Sequence, residues 1–431
     1  MKYMIVTVES FQSGDIPEEV AKFISVHDDP FIVLDESSKI KSNKAVAKRN
    51  KSKRCQAIQK LNTIGSRAIL TGTFISKSPV NAYDQMEFLK KDYWEEDIFS
   101  FENRYCIMIR LPIGRGIRVL IPEDTYYSLH RSLVKAEKNG MLQAQIGSSS
   151  RYYSLSERKL LHILKNKEYT PFIGVKDIYD RISKDTIIVK KKDALNIPDK
   201  VYKKIRLSMN SEMEKLYKQL LDVGFTDEYI SRGNGISLYH RFQDIVNGYI
   251  PVQKDGDEAV VLERQKDNAK ISALLDEISS IDIDNHQVVV WSNRKLFIRD
   301  IYNALSKEDI SCCVYDGDTS TDEKERIKDD FSSGKVRVFI GNQRSGSFGL
   351  DWLKSADYAI FISNDYSVET REQAEDRIHR GGIKDVSKTI IDIVVAGTVD
   401  EKVQESLRVG KELIHSGVTD KSVFALYNVV W

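Results

Sequence analysis

Over the last third of the chain, short apolar runs alternate with amphipathic stretches at intervals of about 25 to 30 residues. A strand that is apolar throughout must be covered on both faces, and a helix between successive strands is the connection that keeps them parallel. The alternation therefore reads as a parallel sheet. The predicted strands are Val288 to Trp291, Cys312 to Tyr315, Val336 to Ile340, Tyr358 to Ile362 and Thr389 to Val394, with helices near 295–305, 320–332, 367–379 and 398–414. The first 100 residues repeat the pattern in shorter form: Met4 to Val8, a helix near 17–26, Phe31 to Leu34, a helix near 44–61, and Ala68 to Leu70. Between about 75 and 250 the pattern turns helical and charged, and a tract near 110–168 with Gly114, Gly116 and Gly147 reads as an insertion. The expected class is α/β, with two parallel-sheet lobes joined by a mainly helical insert; the expected division is 1–80, 81–250 and 251–431.

Composition narrows the function classes. With 41% hydrophobic residues and only 31 Gly and Pro among 431, the chain can bury ordinary cores and is neither linker-like nor collagen-like. A net charge of +1 excludes a histone-like polycation, so a nucleic-acid surface would have to be local. One candidate is the run from Lys39 to Arg54, with eight Lys or Arg and no acid, which also fits a solvated helix face. Cys55, Cys106, Cys312 and Cys313 form neither a C-x-x-C pair nor a zinc spacing. The amino terminus lacks a small-residue cleavage site and no run approaches 18 apolar residues, so a soluble, cytoplasmic chain is expected.

Four segments carry chemistry-bearing residues. Asp35 and Glu36 follow the apolar run Phe31 to Leu34, placing two carboxylates past the carboxyl end of a buried strand, where parallel sheets bind ligands. Asp35 suits Mg²⁺ held through a water, and Glu36 suits the positioning or deprotonation of a water attacking a γ-phosphate. Alone, the pair also fits a solvated strand end. Thr71, Gly72 and Thr73 end the next strand with hydroxyls around a glycine, which also fits a capped turn. Gln373, Arg377 and Arg380 fall at i, i+4 and i+7 of a helix, so they point one way, and arginine keeps its charge and grips phosphate bidentately. A charged surface face paired with Glu372, Glu375 and Asp376 is the alternative. The loop from Gly341 to Asp351, including Gly349, offers backbone amides to a phosphate.

The order of these segments resembles the superfamily two helicases, and within them the Swi/Snf-type branch of DNA translocases related to the DEAD/DEAH-like enzymes. VLDESSKIKS is similar to that branch's motif II, LTGTFI to motif III and QAEDRIHRGG to motif VI. FENRYC, LNIPDKVYKKIRLSMNSEMEKLYKQL and KTIIDIVVAGTVDEKV match the segments after motif III, between the lobes and after motif VI. The chain departs from the family at Phe74, usually proline, at Asp351, usually asparagine, and at Ile383, where glutamine commonly follows the arginine helix.

The resemblance implies two RecA-like lobes with ATP and Mg²⁺ between them, Asp35, Glu36, Arg377 and Arg380 in catalysis, and Thr71, Gly72, Thr73, Gly349, Asp351 and Gln373 contributing to the nucleotide site. It implies duplex or branched DNA held through its backbone. No G-x-x-x-x-G-K-[ST] occurs in these 431 residues; Gly334-Lys335 and Gly410-Lys411 are followed by Val336 and Glu412. The first lobe is therefore expected to be incomplete, beginning near motif Ib at Val6 to Phe11. A second polypeptide is expected to supply the phosphate loop, the chain alone being inactive, in a bacterial cell or phage-infected host. The alternative is a module that binds nucleic acid or protein and hydrolyses nothing.

Overall fold

A computed structural model describes residues 2–12, 15–40, 53–72, 74–75, 80–105, 108–113, 116–120, 143–145, 152–154, 175–187, 189, 197–223, 235–253, 260–346, 350–380 and 386–416. They fall into two compact units, Met1–Thr186 with most residues after Arg408, and Ile187–Arg408. No helix among the described residues is long and apolar enough to cross a membrane.

The second unit is built on six parallel strands: β7 (Val201–Leu207), β10 (Val288–Ser292), β11 (Cys312–Tyr315), β12 (Val338–Asn342), β13 (Tyr358–Phe361) and β14 (Thr389–Val395), in the order β11-β12-β10-β13-β14-β7. Central β10 is buried along its whole length. Its alternate residues enter two different cores: Val288 and Val290 pack with Phe297, Ile301 and Leu274, whereas Val289 and Trp291 pack with Phe331, Ala374 and Ile378. Helices thus cover both faces, Ala269–Ser279 and Lys295–Lys307 on one, Thr321–Ser332 and Val368–Ile378 on the other. Each fully buried side chain of this size contributes about 1.5 to 3 kcal/mol of hydrophobic stabilisation. Gly341 ends β12 where a Cβ would lie 2.6 Å from Phe339 and 2.8 Å from Trp291, so the strand meets the glycine loop at a point only glycine fits.

All five strands expected in the last third are present, and the expected α/β class is borne out. A sixth strand was not anticipated. β7, in the segment matched to the inter-lobe linker, pairs through seven positions with β14, from Val201–Thr389 to Leu207–Val395. It lies at the sheet edge and leaves Val201, Tyr202, Lys203 and Lys204 exposed, so its Tyr-Lys-Lys-Ile-Arg sequence hides it from an apolar-run search.

In the first unit, β1 (Phe31–Leu34) pairs parallel with β2 (Ser66–Ile69), Leu34 opposite Ile69. Gly65 turns the chain into β2 at φ 53°, where a Cβ would fall 2.0 Å from the Pro30 carbonyl oxygen. Val20, Leu34, Ile40, Cys55, Ile58 and Phe88 form the core beneath this pair. A second cluster gathers Phe101, Tyr105 and Ile178 from helices with Trp94 from a turn.

One expectation is overturned here. Met4 to Val8 is not a strand: residues 2–7 have no regular structure and lead into a 3-10 helix, Val8–Gln12. An apolar run becomes a strand only with a partner to take its amide and carbonyl groups, and here Tyr3 is 81% and Ile5 88% exposed. The stretch from 75 to 250 carries the helices Asn81–Leu89, Ile98–Tyr105, Val175–Ile182, Ser211–Val223 and Gly235–Val246, with strands between them. It contains β3 (Met108–Ile113), β4 (Gly116–Leu120), β5 (Gln143–Gln145) and β6 (Tyr152–Ser154), an antiparallel sheet of order β4-β3-β5-β6. It also contains β8 (Tyr249–Gln253), which continues into the hairpin with β9 (Val260–Arg264). Ile113 at the end of β3 pairs with Gly116 at the start of β4, and Gly114 lies outside the described residues. Of the helix expected near 44–61, Lys53–Gln59 is present and residues 41–52 lie outside the described residues, as does most of the basic run.

Candidate functional site

The acidic part lies at the carboxyl end of β1. Leu70 N donates to Leu34 O at 2.9 Å and Ser37 N to Leu70 O at 2.9 Å, so the parallel ladder continues past both strands and holds the Asp35–Glu36 turn beside Leu70–Thr71–Gly72. Glu36 turns the chain at φ 50°, a left-handed conformation that costs a non-glycine residue about 1 to 2 kcal/mol. The Asp35 carboxylate offsets part of this by accepting from Glu36 N at 2.9 Å. Asp35 is exposed and Glu36 half-buried. A Cβ at Gly72 would meet nothing within 4 Å, so space is open beside it.

Gln85 braces the turn, a role the sequence did not signal. It is fully buried, accepts from Ser37 Oγ at 2.7 Å, and donates to Phe74 O at 2.8 Å and Asn81 O at 2.7 Å. One amide thus ties the carboxylate turn to the segment after Gly72. Thr73 lies outside the described residues.

Among the described residues no cluster of three or more His, Cys, Asp or Glu surrounds a metal position. Mg²⁺ nonetheless fits this donor set, because it retains several waters and takes one or two carboxylates together with substrate phosphates.

The basic part lies in the second unit, on the helix Val368–Ile378 and the residues after it. Ser367 caps this helix by accepting from Thr370 N at 3.2 Å. The expected common direction of the arginines holds: Arg377 Nη1 and Arg380 Nη1 reach one oxygen, Asp351 Oδ1, at 3.2 and 2.7 Å. Arg377 is buried, its side chain 9% exposed, whereas Asp351 is 68% exposed. Gln373 is half-buried on the same helix. Gly349 lies outside the described residues; Asp351 starts the 3-10 helix Asp351–Ser355 that follows the glycine loop.

Residues that spacing alone did not single out hold this helix in place. Arg371 stacks 3.5 Å over the Phe361 ring, donates to both Asp392 oxygens at 2.6 and 2.9 Å, and reaches Asn364 Oδ1 at 3.0 Å and Glu375 Oε1 at 2.7 Å. Glu375, fully buried, also accepts from Lys200 Nζ and Tyr202 OH, each at 3.0 Å. Burial alone would lower the Lys200 pKa, but Glu375 and Asp376 outweigh it and raise it. His379 Nε2 lies 2.7 Å from Pro198 O. The i, i+4 spacing of Arg371 and Glu375 was readable as an ion pair; that a Lys from a distant edge strand joins it was not.

A parallel α/β unit carrying an arginine helix, and a second parallel strand pair ending in Asp-Glu, make this a helicase-like α/β chain. The SNF2-related domain model matches residues 3–255, more than half of the chain, and the helicase conserved C-terminal domain model matches residues 269–382. The chain belongs to the SNF2-related family. It is 28% identical over 159 residues to DNA repair protein RAD5A of Arabidopsis thaliana, covering 36% of this chain and 15% of that protein. To the probable ATP-dependent DNA helicase CHR23 of the same plant it is 25% identical over 217 residues, 48% of this chain and 20% of that protein. To nuclear protein STH1/NPS1 of Saccharomyces cerevisiae it is 24% identical over 253 residues, 54% and 18%. The match thus spans a fifth or less of these relatives' length, and they come from plants and a yeast, which gives no support to the expected bacterial or phage setting. The C-terminal part of the Fun30 ATPase domain is similar with a TM-score of 0.43 and 15% identity, covering 55% of this chain and 98% of that one. The Sulfolobus solfataricus SWI2/SNF2 ATPase core in complex with dsDNA has a TM-score of 0.39 and 17% identity, covering 97% and 74%.

Proposed function

We propose that this chain is the larger part of an ATP-dependent DNA translocase or helicase, and that a separate polypeptide supplies its phosphate loop. The observation that carries the proposal is that one chain bears both a carboxylate pair at a parallel strand end and two arginines converging on one point. In the completed enzyme Asp35 would hold Mg²⁺ and Glu36 would take the proton of the attacking water. Thr71, Gly72 and Thr73 line the nucleotide beside the acidic turn, and Gly349 and Gln373 contribute from the second unit. Arg377 and Arg380 stabilise charge developing on the γ-phosphoryl oxygens. Bound Mg²⁺ supplies further neutralisation of the phosphates. DNA is held by its backbone, as movement along duplex requires contacts independent of base identity.

The reading that a separate polypeptide joins the acidic strand pair is supported by the exposed apolar surface there. Phe31 is 66% and Val33 49% exposed on one face of β1, and Leu70 is 53% exposed, although parallel strands are ordinarily covered on both faces. A second reading is a module that binds duplex DNA or protein and hydrolyses nothing.

The test combines the purified chain with a polypeptide carrying G-x-x-x-x-G-K-[ST], such as one encoded in a neighbouring reading frame. DNA-stimulated ATP hydrolysis is expected in the mixture and in neither component. Robust turnover by the chain alone would overturn the split arrangement. Absence of turnover in both, with DNA binding that weakens steeply as salt rises, would establish the binding module.

A further inference from the structure

The arginine pair, read above as the phosphate-contacting part of the site, already has an anion on it. Asp351 offers one oxygen, Oδ1, to Arg380 Nη1 at 2.7 Å and to Arg377 Nη1 at 3.2 Å. Packing holds the carboxylate there. Leu350 and Leu353 on either side of Asp351 are 4% and 0% exposed and share a core with Ala374 and Ile378, the residues of the arginine helix that face inward. The side chain between these anchors is 68% exposed, so the anion position is open to solvent ligands while its donors are fixed.

From this geometry we infer that Asp351 sets the affinity of the arginine pair for phosphate: it is a tethered carboxylate that an incoming phosphoryl group must displace. The inference rests on the proposal that Arg377 and Arg380 receive phosphate. Arginine does not titrate in the working range, so the pair cannot be switched by losing protons; only a competing anion can occupy or vacate it. A carboxylate oxygen and a phosphoryl oxygen seek the same N–H donors. The competition is local, because packing at Leu350 and Leu353 anchors the backbone that carries the carboxylate beside the guanidinium groups. A phosphoryl group with several oxygens can engage both forks at once, whereas Asp351 satisfies them through a single atom. The residue therefore weakens binding of small anions and favours a polyphosphate fixed by further contacts elsewhere. The departure from the family's usual asparagine removes no charged group from the site; it replaces an amide with a competing carboxylate.

The experiment titrates the full chain with inorganic tripolyphosphate at low ionic strength, followed by calorimetry, for the natural protein, Asp351→Asn, Asp351→Glu and Arg380→Ala, and for Asp351→Asn combined with Arg380→Ala. Asp351→Asn should bind tripolyphosphate about threefold to tenfold more tightly, the size expected from removing two partly exposed ion pairs. Asp351→Glu, which keeps the charge on a longer arm, should show no such gain, and the gain should vanish in the combined variant. If Arg380→Ala weakens binding while Asp351→Asn leaves it unchanged or weaker, the competitor role is overturned and the phosphate reading of the arginines stands. If Arg380→Ala changes nothing in either background, the arginine pair is not a phosphate site and both readings fall. Asp351→Ser repeats the neutral substitution with a shorter side chain, and circular dichroism of each variant separates a lost fold from a changed affinity.

Discussion

Glu36 and Asp357 show how differently two carboxylates at strand termini are used. Glu36 sits in a costly left-handed turn at the carboxyl end of β1, and a Cβ added at nearby Gly72 would meet nothing within 4 Å. Replacing it with Gln keeps the shape and removes the base. In the completed enzyme, Glu36→Gln should reduce ATP turnover at least about a hundredfold with ATP binding retained, as judged by single-turnover hydrolysis against nucleotide binding. Asp357 lies at the opposite end of the second unit's sheet, immediately before β13. It accepts from Lys388 Nζ at 2.9 Å and contacts His286 Nδ1 at 2.7 Å, joining the starts of β10, β13 and β14. Burial works against its ionisation, but hydrogen bonds from His286 and Lys388 prevail and hold its pKa below the ordinary 3.8. A carboxyl whose folded pKa is lowered stabilises the protein above its unfolded pKa and loses that contribution as pH falls through the folded value. Asp357→Asn should therefore cost about 1 to 3 kcal/mol near neutrality. In denaturant titrations across pH, that difference should stay level down to about pH 4 and close below it.

The helix Val368–Ile378 is held less by its own propensity than by charges around it. Arg371 and Glu375 are buried on a helix whose sequence, VETREQAEDRI, is largely polar. Buried charges of this kind persist only when paired, and Lys200 from the start of β7 completes the set with bonds of 3.0 Å to Glu375 and 2.9 Å to Asp376. Lys200→Met should destabilise the chain by about 1 to 3 kcal/mol, less than for an isolated buried pair because Arg371 and Tyr202 still serve Glu375. Adding Glu375→Gln to Lys200→Met should recover part of the loss, a coupling that denaturation of the single and double variants measures directly. Equal and additive losses would show that the two residues act separately.

The two units differ in how completely their sheets are covered. One has six parallel strands with a central strand buried along its length; the other holds Asp35 and Glu36 on a two-stranded parallel pair with Phe31 and Val33 exposed. Local opening follows the amount of buried apolar contact, so native hydrogen exchange should be faster in residues 1–75 than in residues 285–400. Addition of a phosphate-loop polypeptide should slow exchange at β1 and β2. Equal strong protection in both regions of the isolated monomeric chain would show the first unit to be self-sufficient and favour the binding module.

Strands β10 to β14 were legible in the residues because a parallel strand covered on both faces must be apolar throughout, and Val-Val-Val-Trp or Val-Phe-Ile allows little else. The arginine helix was legible for a related reason, since a spacing of 3.6 residues per turn sets Gln373 and Arg377 on one side, although the helix ends at Ile378 and Arg380 follows it. Strand formation at the edges was not legible. Met4 to Val8 is as apolar as many strands and finds no partner, whereas the polar Val201–Leu207 pairs along its full length with β14. A strand is completed by its neighbour's backbone, and the identity of that neighbour is not written in the local side chains. The same holds for Asp351. Composition made it one more acid, and only the packing of Leu350 and Leu353 against the arginine helix set its oxygen between two guanidinium groups.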